Sequence, residues 1–259
     1  MPDPEALLRA LAARGAEPPP RLEWHDRLVS TNDRVKELAR QGASHGAIVL
    51  ADEQTGGRGR EGRSWSSPPG GLYLSVLLRP VQVAAGLLPL AAGLAVAEAV
   101  AAESGVTAEL KWPNDVVASG RKLAGVLSEA STGGSGLEWV VVGIGVNVAS
   151  VLPEDLRATA TSLAELAPSG PPAAAALAAA VIARLGVWYD ALATPAAVVQ
   201  SWRRHAVPWW GEAVEVRTGA GALRGRLLEV DDEGALVLSS ALGTRRVLSG
   251  EVVRLRRVD

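Results

Sequence analysis

Gly57-Arg58-Gly59-Arg60-Glu61-Gly62-Arg63-Ser64-Trp65 stands shortly after the apolar run Ala47 to Ala51, and the residues behind it decide the fold. Gly57, Gly59 and Gly62 spell G-x-G-x-x-G, the fingerprint of a dinucleotide-binding turn. That turn works only when a helix comes next, because the amino end of the helix holds the pyrophosphate. Here Ser66-Ser67-Pro68-Pro69-Gly70-Gly71 comes next, followed by the strand-like run Leu72 to Leu78. Read as a P-loop, the same stretch has Arg63 where lysine belongs, and again no helix follows. Both nucleotide folds are therefore excluded. What is left is a Gly/Arg loop with three guanidiniums (Arg58, Arg60, Arg63) within six residues. Arginine forks match carboxylate and phosphate geometry, and glycines let backbone amides approach an anion. A solvated basic loop and an RNA-binding RG segment compete with that anion-binding reading.

Upstream of the loop, Asp3 with Pro4 at the first helical position opens a helix that ends at Gly15. After Pro18-Pro19-Pro20, Leu22 to Val29 alternates like a strand, and Ser30-Thr31-Asn32-Asp33 caps a helix from Arg34 to Gln41. Downstream, Leu87 to Glu103 reads as a long Ala/Leu helix. Ala108 to Lys111, Val116 to Ser119 and Leu123 to Glu129 are short strands, with turns at Pro113-Asn114-Asp115 and Gly120. A Gly133-Gly134-Ser135-Gly136 turn leads into Glu138 to Val148, and Pro153 to about Arg204 is helical. From Ala213 onward five short alternating runs, separated by Gly and Asp, describe a small all-β barrel. The division predicted is 1–206 and 207–259, with the break near Pro208.

With 48% hydrophobic and 21% charged residues, the 259-residue chain has the balance of a soluble protein with a proper core. A formal net charge of −2 builds in no bulk attraction to nucleic acid or acidic membranes. The absence of cysteine removes disulfides, thiolate zinc sites and cysteine nucleophiles together. His25, His45 and His205 are too far apart for ligand spacing. The amino terminus is broken by Arg9 and Arg14 and is no signal peptide. The longest uncharged apolar run, Val83 to Ala97, contains Gly86, Pro89 and Gly93 and falls short of the roughly 18–20 residues of a membrane span. A soluble, cytoplasmic protein without a membrane partner is expected.

Further clusters stand along the chain. Lys111-Trp112-Pro113-Asn114-Asp115 leaves a strand at a tight turn, and Arg121-Lys122-Leu123-Ala124-Gly125 places a second lysine on what is expected to be the adjoining strand. A lysine entering a β-core ordinarily snorkels outward. Val142-Gly143-Ile144-Gly145-Val146-Asn147-Val148 puts an amide into an apolar run, where it must sit at a strand end or contact a ligand. Ser30-Thr31-Asn32, alone, is a helix cap. In order and spacing, G-R-G-R-x-G-R-x-W, K-W-P-N-D, R-K-L-A-G and G-I-G-V-N together make the chain resemble the bacterial biotin–protein ligases (biotin–[acetyl-CoA-carboxylase] ligases), from about Trp24 to the carboxy terminus. The resemblance is to the short form, without the amino-terminal DNA-binding domain of members that also repress transcription. It implies an α/β (α+β) fold: a mixed-sheet, biotin/lipoate-ligase-like catalytic domain and a small SH3-like barrel.

Carried over residue by residue, the resemblance puts Ser30, Thr31, Asn32 and Gln54 around the ureido ring of biotin. Those side chains offer the donors and acceptors that a neutral cyclic urea requires. Arg58, Gly59 and Arg60 would wrap the biotin carboxylate and the ATP phosphates, with Lys122 beside the carboxylate and the α-phosphate. Arg63, Trp65, Lys111, Asn114 and Asn147 would form the nucleotide side, and Asp115 would serve Mg²⁺ or orient a lysine. The implied reaction forms biotinyl-5′-AMP from biotin and ATP, then transfers biotin to a lysine of a biotin carboxyl carrier protein. The resemblance allows a homodimer and implies no DNA partner. Which of Arg254 and Arg256 would touch nucleotide stays open. Two rivals remain. A lipoate–protein ligase shares the adenylation logic, but its apolar ligand has no urea for the Ser30-Thr31-Asn32 and Gln54 set, and octanoyl transfer in that superfamily uses a cysteine. A non-catalytic RNA- or DNA-binding module needs a basic barrel, whereas residues 207–259 hold eight Lys/Arg and eight Asp/Glu.

Overall fold

Asp3 caps the first helix, α1 (Pro4–Ala12), its carboxylate accepting from the Ala6 amide at 2.8 Å. Leu7 and Leu11, one turn apart, are the face that α1 buries against a later helix, α5 (Ala174–Ala191). The computed structural model describes residues 3–79, 85–134, 136–240 and 243–255. Arg256 lies outside them.

A seven-stranded sheet organises the first unit. Its strands are β1 (Leu22–Leu28), β2 (Ile48–Gln54), β3 (Leu72–Leu78), β4 (Glu109–Lys111), β5 (Asp115–Ala118), β6 (Arg121–Gly133) and β7 (Gly136–Val146). They lie in the order β1-β2-β3-β7-β6-β5-β4. Only β1 and β2 are parallel, so the sheet is mixed, as expected. Parallel neighbours need a crossover, and α2 (Thr31–Arg40) supplies it, which sets its amino end just beyond the carboxy end of β1. This helix begins at Thr31 rather than Arg34. Ser30 stands at the cap position without a side-chain cap bond, and its carbonyl accepts from the Arg34 amide. A second correction concerns the lysines: β5 lies between β4 and β6, so Lys111 and Lys122 are not on adjoining strands.

Side chains alternate across the sheet, and the two faces have different fates. Val142, Ile144 and Val146 of β7 join Leu74, Val76, Ala124 and Val126 in a core covered by α1, α3 (Leu88–Ser104) and α5. Helix α3 is apolar on nearly every side because it is buried on nearly every side. Two helical stretches, 85–104 and 174–191, are long and apolar enough to cross a membrane by length and composition; two thirds of the first one's apolar window is buried in this core. On the opposite face Val141, Leu77 and Val49 pack under Val35, Leu38 and Ala39 of α2. Helix α2 covers only part of that face. The remainder carries Gly125, Gly143 and Gly145 and stays open.

After β7 come α4 (Leu163–Leu166), α5 and α6 (Pro195–His205), then β8 (Ala213–Thr218), β9 (Gly221–Val230), β10 (Leu236–Ser240), β11 (Gly243–Val247) and β12 (Glu251–Arg254). These last strands make an antiparallel sheet in the order β11-β10-β9-β8-β12. The sheet is consistent with an SH3-like barrel, though among the described residues β11 and β12 do not pair to close it. Its buried Val214, Leu227 and Leu236 belong to the same apolar cluster as the core of the first unit. Polar bonds pin the two units together: the Trp112 indole, in the β4–β5 turn, donates to the Gly234 carbonyl at 2.9 Å, and Arg203 Nε, on α6, to that of Val230 at 2.8 Å.

Candidate active site

Over the open part of the sheet lies a cleft of about 600 Å³. The amino end of α2, the Gly/Arg loop, the facing strands β6 and β7, and residues 152–160 wall it, and Val207 to Trp209 and Glu251 close it from the carboxy-terminal side. Every candidate residue lines this one cleft: Ser30, Thr31, Asn32 and Gln54; Arg58, Gly59, Arg60 and Lys122; Arg63, Trp65, Lys111, Asn114, Asp115 and Asn147. The Gly/Arg loop has only a short 3₁₀ turn, Arg60–Gly62, before β3, so the dinucleotide and P-loop exclusions stand.

The glycines of G-I-G-V-N explain why the cleft exists. In the ladder Gly145 faces Gly125 and Gly143 faces Leu127. A Cβ on Gly143 would fall inside the Asn32 amide, and one on Gly145 would lie 2.6 Å from the Trp65 indole nitrogen. Gly125 is similarly close, with a Cβ 3.2 Å from the Trp65 ring. Two missing side chains on β7 thus seat an amide at one end of the cleft and an indole in its middle. The Trp65 Nε1 hydrogen is buried there without an acceptor.

One end is polar and neutral. Ser30, Thr31 and Asn32 are 5%, 3% and 4% exposed. The Thr31 amide donates to Gln54 Oε1 at 2.9 Å, with Thr31 Oγ1 3.1 Å from the same oxygen, and Gln54 Nε2 donates to Ser67 Oγ at 3.0 Å. Asn32 Nδ2 donates to Glu129 Oε2 at 2.7 Å, and its Oδ1 accepts from Ser75 Oγ at 2.6 Å.

The other end is cationic, and most of its cations already hold a partner. Arg58 grips Asp33 with both terminal nitrogens, at 2.7 and 2.5 Å, which holds the Asp33 carboxyl below its ordinary pKa and raises that of the guanidinium. Lys122 Nζ lies 2.6 Å from Asp115 Oδ1 and 5.1 Å above the Trp65 ring. Lys111 sits 5.7 Å over Trp209, and Arg63 reaches Glu251 at 2.9 Å. Arg60 is half-buried; burial lowers its pKa, and it makes a long 3.4 Å bond to the Gly250 carbonyl. Asn147 stands just past the end of β7, the strand-end alternative, and its amide donates to the Thr161 carbonyl at 3.0 Å. The Asn114 amide likewise donates to the Val126 carbonyl at 2.6 Å. Of the two open arginines, Arg254 pairs with Glu212 at 3.1 Å.

Sequence reasoning missed Ser75, Glu129, Asp33 and Trp209. Ser75 had a signal, a small polar side chain inside the buried run Leu72 to Leu78. Glu129 had none, because a glutamate ending a strand pattern looks like solvent. Asp115 engages a lysine, and no group of three His, Cys, Asp or Glu that could hold a metal occurs among the described residues.

The family model described as "Biotin/lipoate A/B protein ligase family" matches residues 24–147, and that described as "Biotin protein ligase C terminal domain" matches residues 210–255. The chain is 38% identical to a biotin–[acetyl-CoA-carboxylase] ligase of Mycobacterium tuberculosis, over 88% of this chain and 86% of that protein. It is 33% identical to the bifunctional ligase/repressor BirA of Bacillus subtilis, over 89% of this chain and 73% of that one. Among solved structures, a biotin protein ligase from Aquifex aeolicus in complex with biotin and ATP superposes with a TM-score of 0.79 at 32% identity, over 92% of this chain and 100% of that chain.

Proposed function

The chain belongs to the biotin/lipoate A/B protein ligase family, and on that premise we propose that its cleft joins biotin to ATP and then to a protein lysine. Members of the family named above are ATP-dependent biotin–protein ligases acting on the acetyl-CoA carboxylase system. The observation that carries the assignment here is the pairing of a buried neutral reader with a cationic floor in one cleft. Ser30, Thr31 and Gln54, steadied by Asn32, face a cyclic urea at one end; a lipoyl tail would leave those groups dry and unmatched. At the other end Arg58, Gly59, Arg60 and Lys122 receive the biotin carboxylate and the α-phosphate, while Arg63, Trp65, Lys111, Asn114 and Asn147 hold the nucleotide.

Two steps follow. The carboxylate attacks the α-phosphate, forming biotinyl-5′-AMP and releasing pyrophosphate; a lysine amine of a biotin carboxyl carrier protein then attacks the mixed anhydride, forming the amide and releasing AMP. The first step gathers negative charge, so fixed donors carry the catalysis. Asp33, Asp115, Glu251 and the Trp209 ring occupy those donors in the free protein, and ligand anions take over their places. The charges are thereby held in position before the substrates arrive. Mg²⁺ entering with ATP would need only one or two carboxylates besides the phosphates; Glu109 is an acid lining the cleft that fits that role, whereas Asp115 serves Lys122. Such an ion would neutralise phosphate charge.

We read 1–206 as the catalytic domain and 207–259 as the barrel domain, in a cytoplasmic protein that can pair as a homodimer. No DNA partner belongs to this reading: a formal net charge of −2 builds in no attraction to a polyanion, so the 259-residue chain should give no operator-specific gel shift. A biotin-dependent shift at nanomolar protein and physiological salt would refute that. For the ligase assignment, the deciding assay is pyrophosphate release from ATP with biotin, compared with lipoate and octanoate. Release with biotin alone is expected; release with lipoate but not biotin would sink it.

A further inference from the structure

We infer that Glu129 is a positioning residue of the ligand-reading end, and that Asn32 is the bracket through which it acts rather than a donor to the ligand. This inference rests on the ligase reading above and goes beyond it.

The bond count of Asn32 carries it. Its amide has two hydrogens and one oxygen to satisfy while only 4% exposed. One hydrogen goes to Glu129 Oε2 at 2.7 Å and the other aims at the Leu127 carbonyl at 3.4 Å, both on β6. The oxygen accepts from Ser75 Oγ at 2.6 Å, and Ser75, on β3, is fully buried. Both hydrogens are thus spent on β6 and the oxygen is already accepting, so the amide has no donor left for a ligand.

The amide also has only one tolerable orientation. A carboxylate can only accept, so turning the amide over would set two oxygens against each other at Glu129. Glu129 therefore fixes Asn32, and Asn32 fixes the first turn of α2, where Ser30 and Thr31 stand. Gly143 supports this independently, because a side chain there would expel the amide from its seat. Glu129 has a second set of partners, Lys36 Nζ on the next turn of α2 and Arg58 at 3.7 Å. Its charge could be what matters instead of its reach.

Two conservative variants separate those roles. Glu129→Gln keeps the reach and an acceptor oxygen but drops the charge; Glu129→Asp keeps the charge but withdraws the acceptor from Asn32. Biotin affinity of each full-length variant is measured by calorimetry, with ATP affinity and thermal unfolding as controls. With the bracket, E129Q stays within about threefold of the unmodified protein, while E129D and N32A each weaken biotin about tenfold or more, as expected when a buried amide loses its acceptor. The double variant N32A/E129D should be no weaker than N32A, because both break one link. ATP affinity should fall less than biotin affinity in each of these variants, since Asn32 lies at the opposite end from the phosphate donors and Glu129 meets Arg58 only at 3.7 Å. If E129Q falls as far as E129D, or if the double variant is additive, the bracket is wrong. Absence of any biotin binding by the unmodified protein would instead overturn the ligase reading, and this inference with it.

Discussion

Replacing Lys122 by methionine should all but stop adenylate formation while leaving the fold intact. Methionine keeps the apolar stem that lies over the Trp65 ring, 5.1 Å from the ammonium, so packing changes little. The loss has two parts. One fixed donor at the reacting centre is removed, which typically costs on the order of 10²–10³ in rate. The second part comes from Asp115, whose Oδ1 now pairs with that ammonium at 2.6 Å and whose side chain is only 21% exposed. Without Lys122 it becomes an uncompensated acid facing two anions. At about 4 Å and an effective dielectric of about 20, one such repulsion is about 4 kcal/mol. Partial exposure brings this to about 2 kcal/mol, or a further factor of roughly 30. Lys122→Met should therefore lose about 3×10³–3×10⁴ in pyrophosphate release, and adding Asp115→Asn should restore part of it, about tenfold or more. The reasoning is refuted if Lys122→Met keeps more than about a tenth of the rate, or if the second substitution restores nothing.

Gly143→Ala should expel the Asn32 amide from its seat and weaken biotin binding by at least about tenfold with ATP binding unchanged, measured by calorimetry. Arg60→Gly should loosen the loop, lose a half-buried guanidinium and release biotinyl-5′-AMP into solution; mass spectrometry of bystander proteins would then find biotin on lysines outside the carrier, and carrier-only labelling would count against the clamp. Glu23, bonded to Arg34, His25 and Arg21, has its pKa lowered from 4.5 to about 2. A carboxylate with a depressed folded pKa contributes stability that is full above 4.5 and is lost as the pH falls from there through 2. Denaturant unfolding should show Glu23→Gln less stable than the unmodified protein at pH 7, on the order of 1 kcal/mol after allowing for the solvent-facing arginines, with the gap closing toward pH 2.

The element pattern was largely legible because strands and helices here obey their periods. Leu72 to Leu78 and Leu87 to Glu103 are found within a residue of where alternation and apolar length put them. The start of α2 was misplaced because Ser30-Thr31-Asn32 has the composition of a cap yet two of its members lie inside the helix, their side chains committed to the site. Strand adjacency was misjudged for Lys111 and Lys122 because counting along a meander does not show which strand lies between. The cleft residues were found through joint motifs, but Glu129 and Asp33 were not. Each finds its partners far along the chain, Asn32 and Lys36 for Glu129 and Arg58 for Asp33, and such long-range matching leaves no local trace. Alternation along β7 could have shown more. Val142, Ile144 and Val146 going one way oblige Gly143 and Gly145 to go the other, and two glycines on one face of a central strand mark an absence that something must fill.

The bonds from Arg60 to the Gly250 carbonyl and from Arg63 to Glu251 join positions 190 and 188 residues apart. During synthesis the Gly/Arg loop leaves the ribosome well before its two anchors. At about 5–20 residues per second, the loop waits roughly 10–40 seconds for them. A nascent chain stalled before Gly250 already has all seven strands of the first sheet and the Arg58–Asp33 grip on the loop, yet lacks the anchors of Arg60 and Arg63. The order of translation thus places these two anchors after assembly of the first sheet, and chains that stop before Gly250 are left with the loop held at its Arg58 end alone.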